Sequence, residues 1–143
     1  MKYTQKQINE ILEKHRLWLI GDGGERANLS SANLSNANLS SANLRNANLS
    51  CANLSNADLI SADLWSCIGN KNNIKSIQIE GYDITYTHDV MQIGCQRHTI
   101  AEWFEFDDRR IIDMDGSKAL KWWRKWKDYI KMTIEMSPAN PTK

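Results

Sequence analysis

The sequence predicts a mainly β protein: a short solenoid, capped by an N-terminal helix and followed by a C-terminal α+β module. Three observations predict it. Leucine recurs every fifth residue from position 29 to position 64 without an omission. Apolar and polar residues alternate across positions 74–87, on either side of a glycine. Two helix-starting motifs, Thr4 with Gln7 and Thr99 with Glu102, flank these segments. The resulting boundaries are 1–24 for the capping helix and its Gly-rich turn, 25–68 for the repeat, 69–137 for the module and 138–143 for a loose tail.

The totals narrow the function classes. A chain of 143 residues suffices for one ordinary domain or two small modules sharing a core. Eighteen Lys and Arg against seventeen Asp and Glu give no general pull toward nucleic acid. The hydrophobic fraction of 41% suits a folded globular chain. No apolar run approaches the ~20 residues that a membrane span needs. The first residues lack a secretory signal's apolar core, so a cytoplasmic location is expected. Cys51, Cys67 and Cys95 are odd in number and irregular in spacing, which argues against a disulfide framework.

Taken in order, the first element is a helix from about Thr4 to Leu17. Thr4 and Gln7 form a capping box, and Ile8, Ile11, Leu12, His15 and Leu19 make one apolar stripe. The glycines of GDGG end it. Such a helix must pack on something, and the nearest candidate is the first turn of the repeat.

In the repeat, Leu29, Leu34, Leu39, Leu44, Leu49, Leu54, Leu59 and Leu64 are each preceded two residues earlier by alanine. Those alanines are Ala27, Ala32, Ala37, Ala42, Ala47, Ala52, Ala57 and Ala62. The residue between is Asn six times, then Asp58 and Asp63. A period of five fits neither a helix nor a strand. The chain must turn a corner every five residues, which brings each Leu and Ala to the same inward site. Each unit alone buries nothing; stacked units build a continuous core.

Eight consecutive A(N/D)LXX units resemble the pentapeptide-repeat family. The resemblance implies a right-handed quadrilateral β-helix of about two coils, with the eight leucines and eight alanines as its structural core. Both ends of so short a stack need covers, or they remain unpaired edges.

Beyond Trp65 the five-residue grid lands on Gly69, Ile74 and Ile79, so one degenerate coil is expected to continue. The alternating stretch predicts two strands around a turn at residues 80–83, and VMQIGC a third strand. The sheet is expected to stack on the last coil and extend its ladder. Thr99 opens a helix, a second helix runs from Asp107 or Asp108 to Met114, and a third from Ser117 to about Met136. The third carries Ala119, Trp122, Trp123, Trp126, Tyr129, Ile130, Thr133 and Ile134 on one side. Lys118, Lys121, Arg124, Lys125, Lys127 and Lys131 fall on the other.

Few residues point to chemistry. Cys95 and His98 have ligand-like spacing, and His88 lies close enough to join them. A structural zinc site wants four ligands, and a buried thiol with two polar histidines explains the residues more simply. Asp107, Asp108, Asp113 and Asp115 read as helix caps and solvated faces rather than a magnesium site. No phosphate-cradling glycine loop and no nucleophile elbow is present. No cofactor, no metal and no catalytic residue is expected.

The ends carry a second resemblance. HRLWLIGDGGERANLS is similar to the lead-in of pentapeptide-repeat proteins encoded by phages, and residues 77–103 with 114–127 are similar to the module that follows those repeats. The resemblance implies a non-catalytic phage accessory protein that binds and inhibits a bacterial host protein. The expected contact residues are Trp103, Trp122, Trp123, Arg124, Lys125, Trp126 and Lys127, because aromatics and Arg dominate such interfaces. A homodimer is expected. Two alternatives come with the composition and the family: nucleic-acid binding through the basic helix, and mimicry of DNA against a type II topoisomerase. Mimicry needs an acidic surface, and residues 21–66 hold four acids and two bases.

Overall fold

The computed structural model describes residues 2–143. Helix α1 spans Gln5–Leu19 and begins with the expected capping box: Thr4 Oγ1 accepts from the Gln7 N–H, and the Gln7 side chain accepts from the Thr4 N–H. Ile8 and His15 are its buried residues.

In the repeat, each five-residue step is built the same way. The corner residues Ser31, Asn36, Ser41, Asn46, Cys51, Asn56, Ser61 and Ser66 all have φ between 54° and 64°. The N–H following each corner returns to the preceding leucine carbonyl, as from Ala32 to Leu29 at 3.1 Å and from Cys67 to Leu64 at 3.1 Å. A positive φ at the third residue of such a closed turn is the type II arrangement. The central Asn or Asp secures the approach to the corner. Its Oδ1 accepts the N–H two residues on, from Ser30 to Asn28 through Trp65 to Asp63, at 3.0–3.2 Å in all eight units. These side chains satisfy the local backbone at each bend.

The chain returns beneath itself every 20 residues. Parallel bridges join Asn28 to Asn48, Asn33 to Asn53, Asn38 to Asp58, Asn43 to Asp63 and Asn48 to Ile68. Three backbone bonds hold the turns together at each of the first four bridges, as in Leu39 N–H to Asp58 C=O at 2.8 Å, Ser41 N–H to Ile60 C=O at 2.8 Å and Asp58 N–H to Ala37 C=O at 2.9 Å. The repeat leucines and alanines fill the axis with Ile8, Cys67 and Ile74; Ala42 and Leu59 are only half-buried. The degenerate turn continues only as far as Ile68. At position 69 the loop closes on itself, where a Cβ would stand 2.2 Å from the Ile74 carbonyl oxygen, so glycine is required. Ile74 then plugs the tube, and Ile79 joins a different core.

Four antiparallel strands follow in the order β1 (Lys75–Ile79), β2 (Tyr82–Tyr86), β3 (Val90–Ile93) and β4 (Gln96–Thr99). Glu80 and Gly81, both at positive φ, make the two-residue turn between β1 and β2. Strand β4 was not expected; its polar QRHT sequence carries no apolar alternation. Helix α2 (Ile100–Glu105) starts at the Thr99–Glu102 capping box. Helix α3 (Asp108–Met136) is interrupted at Asp115 and Gly116, so the two helices expected there meet at a break.

The strands lie between two unlike surfaces. Ile77, Ile79, Tyr82, Ile84, Tyr86, Met91 and Ile93 pack with Trp103, Trp122, Trp123 and Ile130 in a second core. The opposite side carries Asp83, Gln92 and Arg97, which reach the end of the repeat. Gln92 Oε1 accepts the Leu64 N–H, Arg97 donates to the Ala62 carbonyl, and Ser66 donates to Asp83. The sheet therefore caps the last turn through side chains and does not extend the backbone ladder as expected. A tube end exposes peptide groups, and a polar sheet face can satisfy them where an apolar one cannot.

Among the described residues, regular strands are confined to this sheet, the repeat contributes isolated bridges, and α1 and α3 are the longest elements. The mainly β expectation thus narrows to pentapeptide steps joined to a four-stranded antiparallel sheet and helices. The tail is not loose either. Ala139 is buried, the Asn140 N–H donates to the Asn72 carbonyl, and Thr142 bonds both the Asn56 N–H and the Ala57 carbonyl.

Candidate functional site

Helix α3 owes its position to indole anchors. Trp122 Nε1 donates to the Ile79 carbonyl at 3.1 Å, and Trp103 Nε1 of α2 donates to the Met91 carbonyl at 2.6 Å. Trp103 and Trp123 lie with ring centroids 5.6 Å apart. At its far end, the Tyr86 hydroxyl donates to the Ser137 carbonyl at 2.7 Å.

This anchoring corrects the expected contact surface. Trp103, Trp122 and Trp123 are 3%, 8% and 3% exposed, so they are core residues and offer nothing to a partner. Trp126 is half-buried, and its Nε1 donates to Glu80 Oε2 at 3.0 Å. Lys125 Nζ lies 3.1 Å from the same carboxylate, and the two bonds, Trp126 foremost, hold Glu80 below the usual carboxylate range. Arg124 pairs with Asp108 across the helix break. Lys127 is half-buried on the flank away from the open face.

The open face belongs to other residues. Tyr129, Met132 and Met136 are 46%, 50% and 79% exposed, and their spacing places them in one ridge. Lys118, Lys121 and Lys125 continue that ridge toward the break, all exposed. The helix thus presents a basic half and an apolar half in line. Tyr129, expected on the core side, is thus exposed, and the sequence pattern does not single out the two methionines beside it. Their position off the tryptophan stripe was the available signal.

His98 and the aspartates are occupied by structure. His98 packs edge-on against Trp103 and Phe106 at 5.2 and 5.0 Å, and Nε2 lies 3.1 Å from Gln96 Oε1. Burial, with Arg110 acting the same way, lowers its pKa. Cys95 and Cys51 are exposed, and burial pushes the Cys67 thiol up to about 12. Asp107 caps α3, Asp113 pairs with Arg109 at 3.1 Å, and Asp115 accepts from the Tyr82 hydroxyl at 2.6 Å.

A cavity of about 680 Å³ lies where the repeat meets the sheet and the tail. Leu59, Ser61 and Ala62 line one side, Thr85, Val90, Gln92 and Arg97 the other, and Thr142 closes an edge.

A frame of stacked five-residue steps with a helix-backed sheet at its end is a scaffold class. Residues 27–65 match the family model of pentapeptide repeats, in eight copies. The match covers the stacked turns and leaves the flanking segments unassigned. No curated protein and no solved structure matches the chain. Among the described residues no helix is long and apolar enough to cross a membrane.

Proposed function

We propose that this is a non-catalytic binding protein, in which the repeat is a rigid frame and the outer ridge of α3 engages a partner protein. The observation that carries the reading is the exposed line of Tyr129, Met132 and Met136 on a helix whose opposite side is locked into a core. Apolar ridges of this kind mark partner surfaces, and helix ridges dock into grooves. The basic half favours a partner with acidic groups beside its apolar groove.

The likeness of both flanks to phage-encoded proteins supports a bacterial host protein as the partner, met in the host cytoplasm and inhibited by steric blockade. The 20-residue return supports reading the repeat as a right-handed quadrilateral β-helix of about two turns. The engagement of His15, His98 and the aspartates in internal contacts supports a non-enzyme.

The test is a pull-down from bacterial lysate with the wild type and a Tyr129→Ser, Met132→Glu, Met136→Glu variant. Captured protein should fall about tenfold or more in the variant, whose circular dichroism should be unchanged. Retained capture by the folded variant overturns the ridge. Capture of nucleic acid that is lost steeply with salt supports the basic helix as a nucleic-acid binder instead. A sedimentation mass above 16.4 kDa that the variant abolishes identifies a second copy as the occupant.

A further inference from the structure

The repeat defines what its own lower edge needs. On the wall formed by residues 37–41, Leu39 and Ser41 donate their N–H groups downward to the carbonyls of Asp58 and Ile60, each at 2.8 Å. The acceptors are two residues apart on a parallel chain. One turn lower the same wall recurs as residues 57–61, and no further turn lies beneath it.

Much of that edge is finished with substitutes. The Ala52 carbonyl receives Asn70 Nδ2, the Ala57 carbonyl Thr142 Oγ1 and the Ala62 carbonyl Arg97. The Asn56 N–H reaches the Thr142 carbonyl, and the Leu64 N–H reaches Gln92. Among the described residues, the N–H groups of Leu59 and Ser61 have no acceptor, and both residues line the 680 Å³ cavity. Leu59 is the only repeat leucine left half-buried. Donors and an apolar side chain thus stand open together, at the spacing that a parallel strand fills one turn above.

We propose that this cavity binds an extended segment of a partner polypeptide as a further rung of the ladder, parallel to residues 57–61. Two of its carbonyls, two residues apart, accept the Leu59 and Ser61 N–H groups. The side chain between them is aliphatic and sits under Leu59; the segment starts beside Thr142, which closes the edge at Ala57, so the residue before the first acceptor is small. Strand addition supplies affinity through the main chain and selectivity through the alternate side chains. The opposite wall offers Val90 and the polar Thr85 and Gln92. This site is separate from the ridge of α3, so the two readings stand or fall independently.

The probe is the acetylated, amidated tetrapeptide Ala-Asn-Leu-Ser, titrated into the whole protein and followed by amide NMR. The Leu59 and Ser61 amides should shift and exchange with solvent about tenfold more slowly, while Leu39 and Ser41 stay unchanged. An analogue with an ester in place of its Asn–Leu amide has a weaker acceptor carbonyl and should bind about tenfold less tightly. Val90→Trp, which fills the cavity from the sheet side, should abolish the shifts. Should that variant misfold, the ester comparison still decides, because it changes only the ligand. Unmoved Leu59 and Ser61 amides, equal binding of amide and ester, or shifts confined to His88 and Glu102 at the rim each overturn the proposal.

Discussion

At the scale of single residues, the middle position of each unit shows how a repeated letter becomes structure. The Asn or Asp looks outward in the sequence pattern, yet its side chain secures the bend that brings the next alanine inward. His15 does comparable work for the top of the stack. Its Nδ1 accepts the Ala27 N–H at 3.0 Å and its Nε2 donates to the Arg45 carbonyl at 2.9 Å, so the ring is neutral with the proton on Nε2. Gln5 nearby presents its amide to both the N–H and the carbonyl of Asn38, standing in for a missing peptide. Burial lowers the His15 pKa, the Arg45 bond opposes it, and Arg26 adds to it. The unfolded chain therefore takes up a proton more readily than the folded one. The His15 contribution is complete above the unfolded value of about 6.5 and is lost as pH falls through that value toward the lower folded one. His15→Ala should cost about 1–3 kcal/mol at neutral pH by orphaning the Ala27 N–H, and should flatten the loss of stability below pH ~6.5. Denaturant melts of both proteins across that range measure it; an unchanged pH slope in the variant refutes the assignment.

At the scale of elements, amphipathic spacing located the helices but not their function. The α3 pattern separated tryptophans from lysines correctly, and Trp122 and Trp123 are buried as a core stripe demands. Which residues stay open depends on where the sheet ends, and sequence spacing has no term for that. Strand β4 escaped for a related reason: four polar residues pair only because β3 supplies an edge. The break at Gly116 was legible, since glycine in a helical run invites one. Its φ of 77° and ψ of −168° lie where side chains other than hydrogen scarcely go. Gly116→Ala meets no atom within 4 Å, so strain rather than a clash is its cost. It should lose about 1–3 kcal/mol in chemical denaturation and disturb the Arg124–Asp108 pair that spans the break. A variant as stable as the wild type rules out that backbone strain.

At the scale of the whole molecule, the repeat was the most legible part because eight units each state the same constraint. The closure of its lower end was the least legible, since each contact there is used once and joins distant positions. The strap 138–143 shows this well. Asn140 bonds Asn72 through both backbone and side chain, and Asn73 Nδ2 donates to the Asn140 and Pro141 carbonyls at 3.0 and 3.2 Å. Thr142 then finishes the edge at Asn56 and Ala57. The strap thereby ties residues that follow α3 to the turns that precede the sheet, so the two cores are cross-linked a second time, beside the sheet. A variant ending at Pro138 removes these bonds together and uncovers the Ala57 carbonyl. At a net ~0.5–1.5 kcal/mol for each bond that is shielded from water, and little for the exposed ones, the loss should total about 2–4 kcal/mol. Hydrogen exchange separates this from general weakening. The Asn56 amide should exchange much faster, while the Asn36 amide, which meets Ser55 one turn above, should keep its protection relative to global unfolding. Equal acceleration at Asn36 and Asn56 means that the strap stabilises the fold as a whole; unchanged exchange at Asn56 means that it closes nothing.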